Sequence, residues 1–243
     1  MAASDDGEMS FLDHLEELRW RIIKSLAAIV VCAIPCGVFW KKIFDILMIY
    51  PLRSIRPQPR LIFTQPVEAV MLSLKITAFG GVIMAAPVVF YQLWRFIAPG
   101  LYKKEKAVVL PVVFASSVCF LLGMGFCYTV MPFLVNFLAT YGAGRMEAMF
   151  RVQDFMGFLI MLMLAFGMVF ELPVISFILT KAGVLTPRFL IDKIRYAIVV
   201  IFIVAAVLTP PDVVSQILMA VPLLLLYGIS IIVSYLAARK RHD

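Results

Sequence analysis

The chain has 243 residues, 63% of them hydrophobic and 15% charged, with a mean hydropathy of +1.00. That composition excludes an ordinary soluble domain and predicts an all-α integral membrane protein folded as a single bundle. The formal net charge of +7 would suggest nucleic acid in a soluble protein. Here the basic residues cluster between apolar stretches, where lipid headgroups and orientation account for them, so no nucleic-acid partner is expected.

The first 17 residues contain no Lys or Arg, and the apolar run that follows is long and bracketed by Trp20 and Trp40. No cleavable signal peptide is expected. Ser10 followed by Asp13 is similar to a capping box. From there Phe11, Leu15, Leu18 and Ile22 fall on one helical stripe, with Asp13, Glu16 and Glu17 on the other side. Residues 1–21 are therefore expected to be a tail with an amphipathic helix on the membrane surface, running into the first span. Its acidic side is either a solvated face or a dock for a cationic peptide.

Six apolar spans are expected in residues 22–238, at 22–39, 69–93, 108–134, 155–179, 196–208 and 213–236, leaving 239–243 as a tail. The fifth has only 13 residues, short of the ~20 that a bilayer core requires. It must thin the bilayer, lean on neighbours or end in a water-filled notch. Pro35, Pro87, Pro111, Pro132, Pro173 and Pro222 lie in or near spans and predict a kinked, concave bundle. Lys and Arg number 14 on the side of the two termini and 7 on the other, with Lys75 inside the second span, where it snorkels or pairs. The imbalance predicts cytoplasmic termini.

The loop after the second span reads Tyr91-Gln92-Leu93-Trp94-Arg95-Phe96-Ile97-Ala98-Pro99-Gly100-Leu101-Tyr102-Lys103-Lys104-Glu105-Lys106. Glu105 is its only acid. It forms a local ion pair near the third span or serves a ligand. Glu171, followed by Pro173, lies inside the fourth span, where a carboxyl is costly unless protonated or hydrogen-bonded. It either packs helices together or makes a polar spot for a partner's helix. Asp212 is placed to cap the sixth span. The four cysteines lie in apolar stretches with no metal-ligand spacing, and the two histidines, His14 and His242, lie outside the spans. No catalytic set, cofactor or metal is expected.

Phe11-Leu12-Asp13-His14-Leu15-Glu16-Glu17-Leu18-Arg19-Trp20-Arg21 resembles the N-terminal signature of the TatC family, the multispanning receptor subunits of the twin-arginine protein translocase. The Tyr91–Glu105 loop is similar to its second signature. Phe170-Glu171-Leu172-Pro173 and Leu208-Thr209-Pro210-Pro211-Asp212-Val213 resemble two more. The resemblance implies that Glu17 and Glu105 contact the two arginines of a twin-arginine signal peptide. It implies that Leu18, Arg19 and Phe96 shape that site, with Glu16 adding to the field. It further implies single-span partners TatA and TatB meeting Glu171, Pro210, Pro211, Asp212 and Gln216. Self-association in a larger complex, transport driven by the proton-motive force and an inner-membrane location are implied with them. Arginine's planar fork suits carboxylates in a way lysine's ammonium does not. A rival reading is a proton-coupled small-solute transporter with Glu171 as the relay.

Overall fold

A computed structural model of the chain describes residues 11–53, 60–101, 109–141, 149–209 and 212–239. Glu105, Pro210 and Pro211 lie outside the described residues.

The N-terminal helix α1 (Phe11–Val38) carries the acidic turns and the first span on one axis without a break. The surface helix expected at its start is thus an extension of the span. A turn at Phe39 leads into α2 (Trp40–Arg53), an amphipathic helix in a connection that the hydropathy pattern leaves as loop. The strand β1 (Arg60–Ile62) precedes α3 (Glu68–Leu101), which carries the second span. The third is α4 (Val109–Tyr141). The strand β2 (Met149–Arg151) then leads directly into α5 (Val152–Val169). The two strands pair in parallel, Leu61 opposite Phe150. Two strands of three residues are the one departure from an all-helical chain among the described residues. They are parallel because each introduces a span that starts at the same end of the bundle.

The fourth span is broken. After α5 the chain turns at Phe170 and Glu171 and resumes as α6 (Leu172–Lys181), with Pro173 in its first turn. Proline has no N–H to give to the preceding turn, which explains a break at this point. α6 ends in a Schellman arrangement: Gly183 adopts φ 80°, its N–H reaches Thr180 O at 3.0 Å, and Val184 N–H reaches Leu179 O at 3.0 Å. The short α7 (Pro187–Asp192) follows, capped by Thr186, whose Oγ1 accepts from Phe189 N–H at 3.2 Å. Last come α8 (Ile194–Leu208) and α9 (Val213–Arg239).

Five segments are long and apolar enough to cross a bilayer: His14–Val38, Glu68–Ile97, Val109–Thr140, Val152–Lys181 and Val213–Ala238. At 15 residues, α8 is the shorter apolar helix anticipated at the fifth position. It spans about 22 Å at ~1.5 Å per residue.

The spans pack as an open row. α1 lies on α3, α3 on α4 and α5, α4 on α5, and α6, α7 and α8 on α9. The core is centred on α5, where Met156, Leu159, Leu162 and Phe166 are buried against Ile76, Phe120, Met131, Leu134, Met219 and Leu223. Lipid is as apolar as leucine, so close packing rather than water exclusion must hold such helices together. Glycines permit it. A Cβ on Gly81 would stand 2.8 Å from Ala33 Cβ and from Ile29 O, and one on Gly123 would stand 2.5 Å from Phe166 O. Outward residues such as Val30, Val31, Ile34, Phe114 and Leu225 are exposed, as lipid-facing side chains must be. Lys75 is exposed on α3, its ammonium alongside Gly157 of α5.

Candidate functional site

At the end of the bundle that holds the N-terminus, α1 and α3 run antiparallel. His14 stacks on Phe96, ring centroids 4.4 Å apart and planes 17° from parallel. This contact brings the acidic N-terminal stretch to the aromatic Tyr91–Phe96 segment, more than 80 residues later. Of the residues expected there, Glu17 and Leu18 are half-buried, Glu16 and Arg19 are exposed, and Phe96 is half-buried under His14. Glu17 is already engaged: its Oε1 accepts from Arg21 Nε at 2.9 Å and also from Nη2. The i,i+4 spacing on a helix was a legible signal for that pair. The stacking of His14 on Phe96 had none, because it depends on how two helices cross. Beside it, Arg95 donates to Tyr91 Oη at 2.8 Å with its guanidinium over the tyrosine ring. Trp94 is buried and donates Nε1–H to Ser116 Oγ at 2.8 Å.

Glu171 sits at the break between α5 and α6 and is 6% exposed. Its backbone continues the helical path, its carbonyl accepting from Ile175 N–H at 2.9 Å. Neither carboxyl oxygen has a hydrogen-bond partner among the described residues, although Ser116 and Cys119 of α4 are neighbours. A buried carboxyl so weakly satisfied is costly, and a polar group from another helix would relieve that cost.

The third group is at the opposite end of the bundle. Asp212 caps α9, its Oδ1 accepting from Ser215 N–H at 2.7 Å. Its Oδ2 and the Ser215 hydroxyl are buried with no partner among the described residues. Gln216 ties α9 to α8, donating Nε2–H to Phe202 O at 3.0 Å. The structure does not bring Asp212 and Gln216 to Glu171. Thr180 and Ser234 share a hydrogen bond near the ends of α6 and α9. Measured back from that pair along the parallel helices, Asp212 is about 20 Å further out than Glu171.

One polar feature escaped the sequence reading altogether. Glu68, 1% exposed, receives Arg151 Nε–H at 2.7 Å and the Thr64 hydroxyl at 2.6 Å. The Glu68 hydrogen bond holds the Arg151 guanidinium above its ordinary pKa. It locks the β1–α3 entrance to the β2–α5 entrance. Two charges 83 positions apart leave no local trace of such a pairing.

The row of apolar spans, a polar face at one end, a buried intramembrane carboxyl and the capped start of α9 at the opposite end define a polytopic helical membrane protein. Residues 13–222 match the family model described as Sec-independent protein translocase protein TatC. A TatC of that description from Helicobacter pylori is 46% identical over 91% of this chain and 87% of its own. One from Aquifex aeolicus is 40% identical over 97% of this chain and 98% of its own. The crystal structure of the twin-arginine translocase receptor TatC superposes with a TM-score of 0.81 at 40% identity, covering 92% of this chain and 99% of that one. The chain belongs to the TatC family and is a membrane component of the Sec-independent protein translocase, a transport role rather than a catalytic one.

Proposed function

We propose that the α1–α3 face receives the twin-arginine signal peptide, with Glu17 and Glu105 holding its two guanidinium groups. The observation that carries this reading is the His14–Phe96 stack, which makes one surface of two distant motifs. Leu18, Arg19 and Phe96 shape the floor, and Glu16, exposed one residue before Glu17, adds negative field. Arg21 occupies Glu17 meanwhile, so an incoming arginine exchanges one guanidinium for another.

In the same proposal both termini are cytoplasmic, α8 is the fifth of six crossings, and the membrane is the prokaryotic inner membrane. Glu171 meets a polar side chain on the single helix of a TatA or TatB partner. The hairpin of Pro210, Pro211 and Asp212, with Gln216 beyond it, offers a second partner contact. Copies of the chain associate in the working complex, and the proton-motive force supplies the energy.

Binding of a twin-arginine peptide to the purified chain tests the receptor site. Glu17→Gln and Glu105→Gln should each weaken it about ten- to a hundredfold, the effect of losing a charge-assisted hydrogen bond of ~1.5–3 kcal/mol. A Lys-Lys peptide should also bind less tightly at equal charge. Equal affinity for the Arg-Arg and Lys-Lys peptides would show that the acids supply only a diffuse field.

A further inference from the structure

Between the end of α4 and the start of α5 lies a cleft of about 370 Å³ lined by Val135, Leu138, Phe155 and Phe158, with Arg151 and Asp154 at its mouth. Phe150 stacks on Phe155 at 5.7 Å and walls one side. Arg151 immediately precedes the span that begins at Val152, so the mouth lies at headgroup depth. Phe158, seven residues on, is about 10 Å deeper, within the hydrocarbon. The cleft is therefore apolar where acyl chains lie and charged where headgroups lie. Its volume is near the lower end for a small-molecule site, enough for part of one chain.

The charges choose the headgroup. Arg151 Nη1 and Asp154 Oδ2 are 3.8 Å apart, a pair too loose to satisfy either group. The Asp154 side chain is 71% exposed and that of Arg151 34%. Arg151 gives Nε–H and one Nη2–H to Glu68, and among the described residues its other N–H groups have only the loose Asp154 contact, which leaves them available to a phosphate. Asp154 accepts from an ammonium and repels an anionic headgroup. We infer that the cleft is a binding site for a zwitterionic aminophospholipid, with phosphate on Arg151, ammonium on Asp154 and an acyl chain between Leu138 and Phe158. This site is separate from the α1–α3 face and from Glu171, and its existence does not depend on what they bind.

The test is native mass spectrometry of the full chain released from bilayers of equal phosphatidylethanolamine and phosphatidylglycerol content. The unaltered protein should retain phosphatidylethanolamine in preference by roughly fivefold, the effect of one partly exposed ion pair. Asp154→Lys, at an exposed position, should reverse the preference towards phosphatidylglycerol. Leu138→Trp should fill the cleft and lose the retained lipid with no change of charge. Equal retention of the two lipids by the unaltered protein would overturn the proposal, as would an unchanged preference in Asp154→Lys. Crosslinks from position 138 to a second copy or another protein, in place of lipid, would also refute it.

Discussion

Each carboxylate in this chain is decided by its surroundings. Glu17 and Glu68 hold guanidinium groups of their own chain, whereas Glu171 is buried with no ion-pair partner among the described residues and only the Ser116 hydroxyl nearby. That difference is what supports the proposal that Glu171 meets a polar group on a partner's helix. Interhelical hydrogen bonds in membranes contribute only about 0.6–2 kcal/mol. Glu171→Ala should therefore loosen crosslinking between α5–α6 and TatA or TatB and slow export, while signal-peptide binding persists. Glu171→Gln keeps the hydrogen-bonding shape and should be milder. If Gln is as damaging as Ala while crosslinking is unchanged, Glu171 moves a proton instead of docking a helix.

At the scale of elements, the pairing of α1 with α3 matters most, because it brings His14 of the acidic N-terminal turns onto Phe96. α1 leaves most of its apolar surface exposed, so its attachment rests on the close approach at Gly80 and Gly81. A Cβ on Gly80 would meet Cys36 Sγ at 2.7 Å. Gly81→Ala forces Ile29 and Ala33 away and should cost about 1–3 kcal/mol, the usual penalty of overpacking. Gly125→Ala is the matched control, since a Cβ there meets nothing within 4 Å. Thermal unfolding in detergent should show a lower midpoint for Gly81→Ala than for Gly125→Ala. Equal midpoints would mean that α1 is held by something other than this contact.

For the whole molecule, the decisive question is how the short α8 is accommodated. It packs on α9 and carries Gln216's anchor at Phe202. It is long enough to cross only if the bilayer thins or the hairpin ends below the surface. In a cysteine-free background, Lys193→Cys should label from the cytoplasmic side, and Asp45→Cys and Val213→Cys from the other. All three positions are exposed. Labelling of positions 193 and 213 from one side would make α8 a re-entrant helix and reduce the crossings to five.

Hydropathy by itself determined the helical class, the places of the spans and the shortness of the fifth, because lipid admits few other solutions for an apolar backbone. Ordered motifs pointed to Glu17, Phe96 and Glu171, and the Asp212 cap was readable from its place before an apolar run. The tertiary structure decided the rest. It joined α1 to its acidic start, added α2 and the β1–β2 pair, and broke the fourth span at Glu171. It also determined which charges are already paired. Arg21 on Glu17 lies within one helix and was legible. Arg151 on Glu68 and His14 on Phe96 were not, since contacts between distant segments depend on how helices cross. A membrane sequence reports strongly on what enters lipid. It reports weakly on which helix meets which, because every lipid-facing and helix-facing position can be equally apolar.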